Sequence, residues 1–165
     1  MSHLGATVAA VPTNAKGGSL MTTNLKTKLD RIPLEIFNQG KLQLIDELYA
    51  PDYRDRSVQP GVAPTREGFK QYVKSLRTAF PDLHYTIDDS IEAGDKFVTR
   101  LTVSGTMRGE FASMPATGKH ATWTEIHIVR VNNDLVVEHW GLIQELSMMV
   151  QLGVIPAPGR TLVTA

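Results

Sequence analysis

Trp123, Glu125, His127 and His139 carry groups suited to chemistry, and their spacing brings them together. Residues two apart on a β-strand share a face, so a strand through Ala121–Asn132 turns Trp123, Glu125, His127, Val129 and Val131 to one side. If Asn132-Asn133-Asp134 is a three-residue turn, Val131 sits opposite Leu135. That register sets His127 opposite His139, Glu125 opposite Gly141 and Trp123 opposite Ile143. A two-residue turn would instead set His127 opposite Trp140. Two imidazoles and a carboxylate among apolar side chains cost free energy unless paired, which suits the wall of a pocket better than a plain core. Imidazole exchanges a proton near neutral pH, and a glutamate–histidine pair can deprotonate a carbon acid beside a carbonyl. His127, Glu125 and His139 are therefore the expected catalytic groups, against the plainer reading of structural hydrogen bonds across the hairpin. The same trio also offers two histidines and a carboxylate to non-haem iron. Opposed strand residues need not converge on one ion, so the cofactor-free reading is preferred.

The rest of the chain must position that hairpin. Leu25, Leu29, Ile32, Ile36 and Phe37 recur at helical spacing between a cap at Asn24 and a stop at Gly40, with a break predicted at Pro33. A second short helix is expected from about Leu42 to Leu48. Tyr53 to Gly61 reads as irregular with at most a brief strand. Thr65 caps a third helix whose stripe is Phe69, Tyr72, Val73, Leu76 and Phe80, halted by Pro81. The period then changes to two, predicting strands at Leu83–Ile91 and Lys96–Met107 around an Ala93-Gly94-Asp95 turn. A loop from Phe111 to Lys119, the final hairpin, a helix near Glu145–Leu152 and a Pro/Gly tail follow. Helices first and a meander afterwards predict an α+β domain whose sheet curls around the helices and leaves a pocket between them.

Composition narrows the function classes. Of 165 residues, 42% are hydrophobic and 21% charged, as in an ordinary globular protein. Seventeen basic residues balance seventeen acidic ones, so no basic stripe recommends nucleic acid or an anionic membrane surface. The chain has no cysteine, which removes thiolate nucleophiles and thiolate metal ligands and fits a reducing compartment. Residues 1–22 are rich in Gly, Ala, Ser and Thr and show no period; they read as a flexible arm. Gly5–Val11 is too short for a secretory core and no stretch could span a membrane, so a cytoplasmic protein is expected. The domain is placed at residues 23–155 and a tail at 156–165.

The block Gly105–Lys119, with Ile126-His-Ile-Val-Arg130, Val137-Glu-His-Trp140 and Met149-Val-Gln-Leu-Gly153, resembles the SnoaL-like polyketide cyclases. Leu48-Tyr-Ala-Pro-Asp-Tyr53 and Ala79-Phe-Pro-Asp-Leu83 resemble the same family. The match runs in the family's order over roughly residues 25–155. It implies a nuclear-transport-factor-2-like cone, with three helices over a curved antiparallel sheet, usually dimeric and without metal or organic cofactor. Its best-known members close a polyketide ring by intramolecular aldol condensation, using an aspartate directly after the His-Trp pair and a histidine in the preceding strand. His127 matches that histidine. The aspartate's place is taken by Gly141, and the histidine common after the Tyr-x-Asp segment is here Arg56.

The expected molecule is thus a cone enclosing a small hydrophobic carbonyl compound. Cyclisation, isomerisation or related enol chemistry would run through His127 with Glu125 or His139, Glu125 occupying the space freed by Gly141. Trp123, Phe69, Tyr72, Leu101 and Met107 are expected to line or floor the cavity. Tyr53, Asp55 and Arg56 would form its mouth, with Arg56 holding a carboxylate or enolate oxygen unless it pairs with Asp52 or Asp55. A carrier that kept the pocket and lost the chemistry is the alternative. On the hairpin's other face, Ile126, Ile128, Trp140 and Leu142 predict a homodimer contact.

Overall fold

A computed structural model describes residues 18–58 and 61–157. Helix α1 (Gly18–Arg31) runs directly into a π-helical turn, Ile32–Phe37. Pro33 lies inside this continuous helical run and cannot donate to the turn before it, where the pattern changes from α to π. The helix thus begins five residues inside the expected arm; residues 1–17, and the tail from 158 onward, lie outside the described residues. Gly40 ends this unit with φ +72°, a conformation open to glycine at little cost. Helix α2 (Leu44–Leu48), strand β1 (Tyr49–Asp55) and helix α3 (Arg66–Ala79) follow. The Thr65 side chain caps α3 by accepting from the Gly68 N–H at 3.3 Å. Strands β2 (His84–Ala93), β3 (Lys96–Thr106), β4 (His120–Asn132) and β5 (Leu135–Ile143) lead to helix α4 (Glu145–Leu152).

The sheet order is β1-β5-β4-β3-β2, antiparallel except that β1 runs parallel to β5. β1 extends the sequence reading, which left Tyr53 to Gly61 irregular with at most a brief strand: a seven-residue strand runs from Tyr49 into that segment as far as Asp55. Its Arg54 and Asp55 pair with Glu138 and His139. The β3–β4 pairing is unbroken, setting Leu101 opposite Glu125, Thr99 opposite His127 and Val103 opposite Trp123.

The final hairpin differs from the expected register at two points, each of one residue in the same direction, so the partners shift by two and the faces are kept. Asn132 pairs with Leu135, so the turn has two residues, Asn133 and Asp134, at φ +49° and +58°. Asn and Asp tolerate this region better than other side chains, and such turns match the strand twist. A bulge then inserts Val137 between the Val131–Val136 and Arg130–Glu138 pairs. His127 therefore lies opposite Gly141, not His139, and His139 lies opposite Val129. The faces are unchanged: His127, His139 and Gly141 still share one side.

The core lies between that side and the helices, where Ile36, Val73, Phe80, Val103, Met107, Trp123 and Leu152 are almost fully buried. Burying each large apolar side chain contributes about 1.5–3 kcal/mol. Two carboxamides complete the sheet. Asn38 gives Nδ2–H to the Tyr85 carbonyl (2.9 Å) and accepts the Tyr85 N–H (2.7 Å), so it acts as one residue of a further strand beside β2. Gln151 of α4 does the same for Thr122 beyond the end of β5, at 3.0 and 2.8 Å. Arg77 of α3 donates to the Phe37 and Asn38 carbonyls at the end of the π-helical turn. On the side away from the core, Leu142 and Ile126 are exposed (73% and 40%), and Arg130 lies 5.8 Å above the Trp140 ring. Among the described residues no helix is long and apolar enough to cross a membrane.

Because Asn38 satisfies both backbone groups of Tyr85, Asn38→Ala should lower stability by about 2 kcal/mol. A urea melt reads this as a lower midpoint at unchanged slope.

Candidate active site

Period-two alternation carries Trp123, Glu125 and His127 to the inner face of β4, and the bulge in β5 keeps His139 and Gly141 on the same face. β1 adds Tyr53 and Asp55 from the parallel side. Between this wall and the helices lies a cavity of about 120 Å³. Most of it is apolar: Leu29, Ile32, Phe37, Tyr49, Phe69, Phe97, Leu101, Val129 and Ile143 line it. Tyr49, Tyr53 and Phe69 form an aromatic cluster at one end, with ring centroids 4.8 to 6.5 Å apart.

The carboxylates and imidazoles in this apolar space are not scattered; they form one chain. Glu125 is 3% exposed, and a carboxylate so placed must be paired. Its Oε1 accepts from the Trp123 indole N–H at 2.7 Å and faces the Tyr85 hydroxyl at 3.5 Å. Its Oε2 lies 2.8 Å from His127 Nε2. His127 Nδ1 lies 2.8 Å from His139 Nε2, with the two rings stacked at 5.1 Å. His139 Nδ1 is 3.0 Å from Asp55 Oδ1, close enough for an ion pair though off the line of a well-formed hydrogen bond. Asp55 also accepts from the Ser57 backbone N–H (2.9 Å) and the Tyr53 hydroxyl (3.1 Å).

Electrostatics fixes several of these groups. Burial pushes the Asp55 carboxyl upward, but His139, the Ser57 N–H and the Tyr53 hydroxyl together outweigh it and hold the group below the usual aspartate range. Burial drives the Tyr53, Tyr72 and Tyr85 phenols upward, reinforced by nearby carboxylates. These tyrosines therefore stay protonated and serve as O–H donors. A His127 protonated at Nε2, neutral or cationic, would donate to an ionised Glu125; a His127 bare at Nε2 would accept from a protonated one. One proton is shared along that 2.8 Å contact.

Glu125, His127 and His139 are thus brought together, and Phe69, Tyr72, Leu101 and Gly141 line the cavity beside them. Three expected lining residues do not reach it. Trp123 is 2% exposed and packs on Phe80 with ring centroids 5.8 Å apart; it serves the site as the donor to Glu125. Met107 is fully buried in the core. Arg56, expected at the mouth, is half-exposed and pairs with Glu138 at 2.5 Å, not with Asp52 or Asp55, because its strand neighbour Asp55 takes the inward position. Gly141 is filled space: a Cβ there would sit 3.0 Å from His127 Nδ1 and 3.1 Å from His139 Cε1. The sequence reading missed the joining of Asp55 to His139. The signal was the alternation of Tyr53 and Asp55, interrupted upstream by Pro51. Among the described residues no group of histidines and carboxylates is arranged to hold a metal ion.

The fold has relatives among solved structures. TsrD from Streptomyces laurentii is 27% identical, with a TM-score of 0.72 over 85% of this chain and 100% of its own. IdmH from Streptomyces antibioticus, a proposed polyketide cyclase, is 30% identical, with a TM-score of 0.68 over 78% of this chain and 98% of its own. AclR from Streptomyces galilaeus, a proposed hydroxylase, is 25% identical, with a TM-score of 0.72 over 84% and 86%. No curated protein matches the chain. The family pattern of the SnoaL-like polyketide cyclases matches residues 27–152, from the first helix to the end of the last. With its helices set over a five-stranded, mostly antiparallel sheet, the chain belongs to the SnoaL-like polyketide cyclase family, of nuclear-transport-factor-2-like fold.

Proposed function

We propose that this protein is a cofactor-independent enzyme that enolises a small hydrophobic carbonyl compound, in a cyclisation, an isomerisation or a related step. The observation that carries this reading is the hydrogen-bonded chain from Glu125 to Asp55 on the wall of an otherwise apolar cavity. Family membership supports it at the level of the enzyme class.

The acid/base unit is Glu125 with His127. Both ring nitrogens of His127 are engaged, whereas the Glu125 carboxylate keeps lone pairs beyond those used by Trp123 and His127. With the shared proton on His127, Glu125 is ionised and takes a proton from the carbon next to the substrate carbonyl. The C–H electron pair moves to the carbonyl oxygen as an enolate. Tyr72 lines the cavity and has no hydrogen-bond partner among the described residues, so its hydroxyl is free to donate to that oxygen. Return of the proton at another atom gives isomerisation; attack of the enol carbon on a second carbonyl of the same molecule closes a ring. The rest of the substrate lies against Phe37, Phe69 and Leu101. No metal takes part in this scheme. The exposed Ile126 and Leu142, with Ile128 and Trp140 on the same face, support a homodimer through the hairpin's outer side; Leu142→Glu should convert it to a monomer in light scattering.

Deuterium exchange tests the elementary step without the natural substrate. Single-ring 1,3-diketones and aryl ketones incubated in heavy water should gain deuterium at the α-carbon faster with protein than without. Glu125→Gln should lower that rate by roughly 10²–10⁴-fold, and Tyr72→Phe by roughly 10²-fold or more. Binding of these ketones with no exchange above background would favour the carrier instead. A stability measurement addresses Asp55. Its folded-state carboxyl titrates below the unfolded one, so its contribution is present above the ordinary aspartate range and lost as pH falls through the folded value. Asp55→Asn should therefore melt below the wild type at neutral pH and converge with it in acid.

A further inference from the structure

We propose that Asp55 is the positioning residue of the acid/base pair: set beside His139 by the parallel β1–β5 pairing, it fixes the tautomers of His139 and His127 and so leaves one acidic proton between His127 and Glu125. This deepens the reading of Glu125–His127 as the acid/base unit and rests on it for its catalytic meaning.

Placement comes from the backbone. Asp55 and His139 are register partners in parallel strands, and the Arg56 N–H donates to the His139 carbonyl at 2.8 Å, which locks the two residues side by side. The carboxylate is itself held on both oxygens: Oδ1 by the Ser57 N–H and Oδ2 by the Tyr53 hydroxyl. Ser57 is pinned in turn, its hydroxyl accepting the Gly141 N–H at 2.9 Å. Asp55 cannot turn away without breaking these contacts.

Direction follows from charge. An ionised carboxylate 3.0 Å from His139 Nδ1 repels a lone pair there and attracts an N–H. His139 therefore carries a proton on Nδ1, and as a neutral ring it leaves Nε2 as an acceptor. The 2.8 Å contact to His127 Nδ1 then requires a proton on His127 Nδ1. What remains is the 2.8 Å contact between His127 Nε2 and Glu125 Oε2, which must also hold a proton to be a hydrogen bond at all. Counted together, the two carboxyls and two imidazoles carry a net charge of −1, with one proton free to sit on either partner. The opposite direction gives a different site. If His139 donated from Nε2, His127 would accept at Nδ1 and donate from Nε2 as a neutral ring. Glu125 would stay ionised, the set would carry −2, and no acidic proton would be left beside it. Asp55 selects between these two arrangements.

The inference also explains how the site dispenses with a carboxylate at Gly141. A side chain there would enter the space of the His127–His139 contact. The second carboxylate reaches the histidines from β1 instead, on the far side of β5.

Long-range proton–nitrogen correlation spectra of the ¹⁵N-labelled full chain test this without any substrate. Near neutral pH the wild type should show His139 protonated at Nδ1 with a bare Nε2, and His127 protonated at Nδ1. A wild type with His139 protonated at Nε2 alone overturns the proposal with no variant needed. In Asp55→Ala the Nδ1–H form of His139 should fall from the dominant to the minor species, whereas unchanged tautomers in a folded variant would also overturn it. In the exchange assay Asp55→Ala should lower kcat by roughly 10- to 100-fold, below the full effect of an acid/base group, with KM within about twofold. Glu125→Gln should lower exchange by roughly 10²–10⁴-fold and leave the His139 tautomer as in the wild type. If the wild type exchanges nothing, the enolising activity fails, while the nitrogen spectra still decide the role of Asp55.

Discussion

The need to satisfy one buried carboxylate organises this site. Glu125 sits among Leu101, Ile143 and the aromatic core with almost no exposure, where an unpaired anion would cost several kcal/mol. Every polar group around it answers that demand. Trp123 gives up its indole N–H, Tyr85 turns its hydroxyl inward, and His127 supplies the partner that can also carry charge. His127 has a second nitrogen to satisfy, which brings in His139, and His139 brings in Asp55. The chain stops at Asp55 because there the remaining needs are met by a backbone N–H and a tyrosine hydroxyl, neither of which hands the problem on.

Gly141 belongs to the same solution. Where the resemblance leads one to expect an aspartate, the two imidazoles close over the glycine, with His127 Nδ1 only 3.0 Å from where a Cβ would stand. The histidine–histidine contact and a side chain at this position exclude one another. A carboxylate at residue 141 would have to break a 2.8 Å hydrogen bond and leave a ring nitrogen unpaired, at about 1–3 kcal/mol. The departure from the family pattern is therefore coupled to the histidine pair, and reverting one residue would not recover the family's arrangement.

Legibility in the sequence divided along physical lines. Wherever side-chain period alone decides the structure, the reading matched: the α3 stripe with its Thr65 cap, the inward face of β4 and the α4 limits all follow from local spacing, whereas at Pro33 the helix changes from α to π without breaking. The turn and register of the last hairpin did not match, because one residue of turn length and one of bulge each shift the partner by one in the same direction, and neither has a signature stronger than Asn-Asn-Asp. The extent of β1 was missed for a different reason. Pro51 and the charged Arg54 and Asp55 argue against a strand, and only pairing with β5, a partner more than eighty residues away, makes it one. Arg56 followed from that error: once β1 is a strand, Asp55 faces the cavity and Arg56 is committed to Glu138.

The edge of the sheet shows the same economy as its centre. A strand edge presents N–H and C=O groups in alternate pairs, and a carboxamide is the one side chain that offers both complements at the right spacing. Asn38 and Gln151 use this at opposite ends of the sheet, each tying a helical segment to a strand. The first tie anchors the end of the π-helical turn, whose Ile32, Pro33 and Phe37 line the cavity, while the contacts across the cavity are mostly apolar and tolerant of shape. Such a frame holds the Glu125–His127 wall in place and leaves the opposite wall free to fit whatever hydrophobic outline the substrate brings.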